Sequence, residues 1–61
     1  MKKSDLTAEI WWLWLLYAPS LRFMQFMSNF INWEASYNGV DVFYLPDDVL
    51  IKHLQDFCKT L

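Results

Sequence analysis

The stretch RFMQFMSNFINWEASYNG, residues 22–39, decides the fold. Polar side chains recur in it at spacings of 3, 4, 3 and 4 residues: Arg22, Gln25, Asn29, Asn32 and Ser36. Aromatic side chains recur at the same spacings one position later: Phe23, Phe26, Phe30, Trp33 and Tyr37. Two parallel rows with this period lie on neighbouring faces of an α-helix, whereas side chains in a strand alternate every second residue. The pattern therefore predicts a helix that begins near Pro19 and Ser20 and extends to Tyr37.

This helix is followed by the pair Asn38 and Gly39. An Asn-Gly pair between β-prone residues is a strong hairpin signal, and residues 35–37 could then pair with residues 40–42. In the other interpretation the pair stops the helix, because glycine readily adopts the left-handed conformation found at helix C-termini. The helical rows continue through Ser36 and Tyr37 without interruption. We therefore favour the helix stop, and an α+β fold with a short hairpin around Asn38 and Gly39 is the alternative.

Upstream lies the most apolar part of the chain, IWWLWLLYAP at residues 10–19. We expect a helix that begins near Ser4 or Asp5, whose side chains can cap free backbone N–H groups. It should end by Ala18, because the residue before a proline is displaced from the α region. After Glu9 this helix is apolar on every side. That composition predicts a central helix with neighbours all round it.

Downstream, residues 40–45 (VDVFYL) are predicted to form an extended connection between helices 2 and 3. We favour a lid that closes over the helices, and the alternative is a strand edge offered to another chain. Helix 3 should open at the sequence LPDD, with Asp47 as its N-cap and Asp48 paired with Lys52. Its apolar positions recur at spacings of 4, 3 and 4 residues: Leu50, Leu54, Phe57 and Leu61. The predicted fold is a single all-α domain, residues 1–61, with three helices and one extended segment between helices 2 and 3.

The composition predicts apolar surface that the chain does not cover by itself. The chain has 61 residues, of which 56% are hydrophobic and 20% aromatic, including four Trp. A domain of this size buries only about 60% of the surface that its unfolded chain exposes. Cys58 is the single cysteine, so an internal disulfide is excluded and association with a second macromolecule is the expected source of stability. A lone thiol also favours a reducing compartment, and we expect a cytoplasmic location.

The titratable residues do not predict catalysis. His53 and Cys58 lie about 140° apart around a helix with 100° per residue, so their side chains do not face each other. Within one chain they also fall short of the four ligands that zinc takes. Asp47 and Asp48 are explained by their place at the start of a helix. We therefore expect no enzyme activity, no cofactor and no metal site.

Charge and length argue against nucleic acid and against a membrane span. The net charge is −2 and the five basic residues are scattered, whereas phosphate binding requires clustered cations. The apolar run of residues 10–18 is too short to cross a bilayer, and a longer span to residue 33 contains Pro19 and Arg22. A Trp-rich helix 1 lying in the membrane interface is the first alternative function. A helical DNA-binding regulator is the second.

The favoured expectation is a small acidic protein-interaction module: an inhibitor, an adaptor or a self-associating accessory protein. Its partner would be another protein, a second copy of the chain, or both. Binding energy at interfaces concentrates in Trp, Tyr and Arg, and the polar row of helix 2 offers amides with little charge. The candidate partner-binding residues are Trp11, Trp14, Arg22, Gln25, Asn29, Trp33, Tyr37, Phe43 and Tyr44.

Overall fold

A computed structural model describes all of residues 1–61. The chain forms three α-helices and no strand: α1 is Lys3–Tyr17, α2 is Phe23–Tyr37 and α3 is Asp47–Cys58. A short 3-10 helix, Val42–Tyr44, lies between α2 and α3. The predicted all-α fold with three helices is confirmed, and the α+β alternative is wrong.

The boundary between α1 and α2 is a tight turn rather than an early start of α2. Helix α1 ends at Tyr17 as predicted, and the backbone N–H of Ala18 still donates to the carbonyl of Trp14 at 2.9 Å. Leu21 then donates its N–H to the carbonyl of Ala18 at 3.2 Å, which closes the turn around Pro19 and Ser20. Helix α2 therefore begins at Phe23 and not near Pro19.

Three side-chain expectations at helix starts need correction. Helix α1 begins at Lys3, one residue before the predicted cap, and its N-cap residue makes no side-chain hydrogen bond. Helix α3 begins at Asp47, with Pro46 at the N-cap position, so Asp47 lies inside the first turn and does not cap it. Asp47 and Asp48 still place negative charge at the positive end of the helix dipole. The predicted Asp48–Lys52 ion pair does not form, and the one contact between a basic and an acidic side chain within 4 Å joins His53 to Glu34.

The end of α2 follows the helix-stop interpretation. The N–H of Asn38 donates to the carbonyl of Glu34 at 3.0 Å, which completes the last turn. Gly39 then has φ +63°, the left-handed conformation that reverses the chain at low cost only for glycine.

The connection between α2 and α3 is neither wholly extended nor a lid. The carboxylate of Asp41 accepts a hydrogen bond from the N–H of Phe43 at 3.0 Å, and the carbonyl of Asp41 accepts one from Tyr44 at 3.1 Å. These bonds coil Val42–Tyr44 into one 3-10 turn. Val42 packs against the core, whereas Phe43 and Tyr44 are 86% and 85% exposed. The two rings point away from the helices that the lid was expected to cover.

Helix α3, and not α1, is the central element, since it contacts both other helices. All three helices and the first turn contribute to the core, which consists of Leu13, Ala18, Phe26, Phe30, Ile51, Leu54, Phe57 and Cys58. Helix α1 contributes only Leu13 from within its bounds. The prediction of a central α1 is wrong because a chain this short supplies only two further helices, and they cover one side of α1. The predicted core position Leu61 is also exposed.

Candidate interaction surfaces

An uncovered apolar surface lies on the side of α1 that faces away from the core. Trp11, Trp12, Leu15 and Leu16 are 55%, 58%, 42% and 71% exposed. At 100° per residue these four side chains fall within an arc of about 140°, which we call the outer face of α1. Leu13 is buried on the opposite side of the helix. The expectation that this chain leaves aromatic surface uncovered is confirmed.

Trp14 fixes which side of α1 faces outward. Its indole N–H donates to the carbonyl of Leu21 at 2.7 Å, so the ring ties α1 to the turn before α2. Its ring meets Trp11 and Phe23 edge-on, with centroids 6.0 and 5.5 Å away. Trp14 was predicted as a partner-binding residue, and the structure places it mainly in internal packing. Trp12, which was not singled out, lies on the outer face instead.

The aromatic row of α2 runs from the core to the surface. Phe26 and Phe30 are fully buried. Trp33 is half-buried, with ring centroids 5.6 Å from Phe57 and 5.5 Å from Tyr37, on which it stacks. The indole N–H of Trp33 is buried and has no hydrogen-bond partner. Tyr37 ends the row at the surface and is 78% exposed.

The polar row of α2 faces solvent. Arg22, Gln25 and Asn29 are all exposed. Gln25 also has a structural task, since its side-chain oxygen accepts a hydrogen bond from the N–H of Arg22 at 2.9 Å at the start of the helix. The predicted role of these three residues in partner binding stays a prediction.

A second apolar surface lies between α2 and the 3-10 turn. An open groove of about 490 Å³ is lined by Ile31, Ala35, Gly39, Val40, Asp41, Val42 and Phe43. No residue of α1 lines it, and Asp41 is its single charged lining residue. Phe43 lines the groove and is itself largely exposed, and Tyr44, the next residue of the turn, is equally exposed. This groove was not predicted, because it depends on the 3-10 turn that replaces the expected extended segment.

A buried carboxylate links α2 to α3. Glu34 is fully buried, and its carboxylate contacts the Nδ1 atom of His53 at 2.8 Å and accepts a hydrogen bond from the Asn38 amide. The sequence held a signal for this position, since Phe26, Phe30 and Glu34 recur every four residues and so share one helix face. His53 lies on α3 with its side chain partly exposed, and its contact with Glu34 was not predicted.

The structure assigns Cys58 to the core. It is fully buried, and burial raises the pKa of its thiol from the usual 9.0 to about 11. At neutral pH the group is therefore a protonated, unreactive thiol rather than a nucleophile. No three His, Cys, Asp or Glu side chains come together in a group that could hold a metal ion.

Taken together, these features define a small three-helix domain with aromatic clusters inside and aromatic side chains left exposed outside. Comparison of the chain with models of protein families, with curated proteins and with solved structures finds no match. None of the three helices combines the length and the apolar character needed to cross a bilayer.

Proposed function

We propose that this chain is a protein-interaction module that docks on a protein partner through the outer face of α1. The observation that carries the proposal is the exposure of Trp11, Trp12, Leu15 and Leu16 on one arc of one helix. Their exposed parts amount to roughly 450 Å² of apolar surface, from typical side-chain areas. Patches of this size on monomeric proteins are often functional. A partner that covered them would remove from water about half of the roughly 800 Å² that each side contributes to a standard interface.

The residue types on this face suit recognition. Tryptophan is enriched among the few residues that carry most of the energy of an interface. The two indoles stand on a regular helix whose rotation is fixed by the Trp14 contacts, so little ordering remains to be done on binding. Such a module acts as an inhibitor or adaptor without a catalytic site or a cofactor. Its reduced lone thiol fits a cytoplasmic location.

A photo-crosslinking amino acid at position 16 tests this proposal directly. The matched control carries the same group at Ser28, an exposed position on α2. In extract of the native host, we expect one discrete protein adduct from position 16 and none from position 28. Excess wild-type chain should compete the adduct away, and excess Trp12→Gln/Leu16→Gln chain should not. Adducts of equal yield from both positions, or none that is competed, would reject the outer face as a docking site.

The same face also favours a second candidate function, association with a membrane interface. Two neighbouring indoles beside Leu15 and Leu16 resemble the apolar side of an interfacial helix, and Lys2 and Lys3 precede it. The negative charges of Asp5 and Glu9 offset the positive charges of these two lysines. Vesicles of zwitterionic or anionic phospholipid should shift the Trp emission to the blue and pellet the protein if this function holds. The Trp12→Gln/Leu16→Gln variant should then stay in the supernatant.

A further inference from the structure

We propose that the groove between α2 and the 3-10 turn is a homodimer site, which receives the Phe43 and Tyr44 rings of a second copy of this chain. The proposal does not rest on the outer face of α1, because no residue of α1 lines the groove. The occupant that we propose for the groove is a second copy of the chain.

The groove has the size and chemistry to take an aromatic ring. Its volume is about 490 Å³, and its walls are mainly aliphatic: Ile31, Ala35, Val40 and Val42. The space beside Gly39 is open, since a Cβ built there would meet no atom within 4 Å. Such a site is lined as ligand and side-chain pockets usually are, by apolar groups with one polar group that sets orientation.

The projecting rings are held in place before any partner arrives. Phe43 and Tyr44 are 86% and 85% exposed, yet their backbone is fixed by three hydrogen bonds. Asp41 accepts two of them, from the N–H groups of Phe43 and Tyr44 at 3.0 and 3.1 Å. The third runs from Leu45 to the carbonyl of Val42 at 3.2 Å. Rings on an ordered turn lose little conformational entropy on binding, which favours association.

The projection and the groove belong to one patch, and this makes the surface self-complementary. Phe43 is both a lining residue of the groove and one of the two projecting rings. In a two-fold dimer each chain presents the same patch to the other, so a projection beside a groove can enter the partner's groove twice. A partner of a different kind would have to supply its own aromatic projection, whereas a second copy already carries one.

Polar groups and area are consistent with a weak dimer. One carboxylate oxygen of Asp41 accepts the Phe43 N–H, and the other has no hydrogen bond within the chain. The hydroxyl of an incoming Tyr44 is a suitable donor to it. The exposed parts of Phe43 and Tyr44 total roughly 340 Å², from typical aromatic areas. Even with the groove walls, each chain contributes less than the roughly 800 Å² of a standard interface, so we expect a weak dimer with a dissociation constant in the micromolar range.

The test is sedimentation velocity over a concentration series that spans the expected constant. Wild type should show a monomer–dimer equilibrium. Phe43→Ser/Tyr44→Ser removes the projection, Ala35→Arg obstructs the groove, and each should weaken association by about tenfold or more. The control Trp12→Gln/Leu16→Gln lies on the outer face of α1 and should dimerise as wild type does. Far-UV circular dichroism confirms that each variant is folded.

Mixing the two variants gives the sharper result. The Ala35→Arg chain keeps its projection, and the Phe43→Ser/Tyr44→Ser chain keeps its groove, so the mixture regains one of the two contacts. The mixture should therefore associate more strongly than either variant alone. A wild type that stays monomeric at several hundred times the expected micromolar constant would overturn the proposal. So would a dimer weakened only by the outer-face variant, or a mixture no stronger than its components. None of these results would decide the outer-face proposal, which is read by the separate crosslinking test.

Discussion

Trp14 and Trp33 are both half-buried indoles packed among aromatic rings, yet their N–H groups have opposite fates. Trp14 donates to the carbonyl of Leu21 at 2.7 Å. The N–H of Trp33 is buried without any partner. A buried hydrogen bond adds about 1 kcal/mol to the free energy of unfolding, whereas an unsatisfied buried donor lowers it. The two indoles therefore contribute to stability through different balances of packing and hydrogen bonding.

Trp14→Phe and Trp33→Phe make a matched pair for this difference. Both substitutions remove the same ring atoms, but only Trp14→Phe also breaks a hydrogen bond. We expect Trp14→Phe to lower the free energy of unfolding by about 1–2 kcal/mol more than Trp33→Phe does. Urea unfolding followed by far-UV circular dichroism measures both. Equal losses would show that the Trp14 hydrogen bond adds nothing net.

Cys58 gives the protein a pH-dependent loss of stability in the alkaline range. Its thiol pKa is about 11 in the folded chain and 9.0 when unperturbed. The unfolded chain therefore loses this proton first, and ionisation favours unfolding as the pH rises from about 9 to about 11. In reducing urea titrations, the stability advantage of wild type over Cys58→Ala should be constant below about pH 8. It should then shrink by about 2 kcal/mol by about pH 11. Lys and Tyr titrations are common to both proteins and cancel, so a constant difference would contradict this cause.

At the scale of the helices, the exposed side and the end of α2 could be predicted, whereas the exposed side of α1 could not. The two parallel rows on α2 state which side is wet and where the helix ends, and Gly39 at φ +63° confirms the stop. The sequence of α1 is apolar on every side, so its pattern does not indicate which side is buried. That side is set by contacts with distant parts of the chain, namely the packing of α1 on α3 and the hydrogen bond from Trp14 to Leu21. The periodicity of residues within one helix does not reveal such contacts, because they depend on how the rest of the chain folds.

The α2–α3 interface contains one polar link that apolar periodicity also failed to reveal. Glu34 is fully buried on α2, and its carboxyl group contacts the Nδ1 atom of His53 on α3 at 2.8 Å and accepts a hydrogen bond from the Asn38 amide. His53 remains partly exposed, so water can replace its lost partner, whereas nothing can hydrate Glu34 in the same way. Removing the two residues should therefore have unequal effects.

We expect His53→Ala to lower the free energy of unfolding by about 2–3 kcal/mol, because it leaves a buried carboxylate short of a partner. Glu34→Gln should lower it less, since an amide keeps the shape and carries no charge. In the double variant the effect of His53→Ala should fall, with a coupling on the order of 1 kcal/mol. Chemical denaturation of the four proteins closes this cycle, and Lys52→Ala on the exposed side of α3 serves as the control. Purely additive losses would rule out the link.

At the scale of the whole molecule, the kind of surface was predictable but its members were not. The prediction that so short a chain has more aromatic side chains than it can bury rested on composition alone. Which rings remain outside depended on rotation and on the 3-10 turn. Trp12 is exposed, whereas Trp14, which was expected to be, packs internally. Phe43 and Tyr44 project from the 3-10 turn instead of covering the helices, and Phe43 also lines a groove. The number of surplus aromatic side chains follows from the composition, whereas the exposure of each one depends on the residues that pack around it.

A chain of this size has a small free energy of unfolding. Substitutions of residues that stabilise the fold should therefore be clearly distinguishable from substitutions of exposed residues that are available for binding. Phe30 is fully buried among aromatic rings. Phe30→Ala should lower the free energy of unfolding by about 3–5 kcal/mol, comparable to the whole stability of a small domain. The double substitution Trp12→Gln/Leu16→Gln removes more apolar area, yet it should change that free energy by no more than about 0.5 kcal/mol, because both side chains are exposed in the folded chain. Thermal and urea unfolding at a fixed, low protein concentration compare the three proteins. A large loss in the outer-face variant would mean that those side chains stabilise the isolated fold, and the case for a partner on α1 would lose its premise.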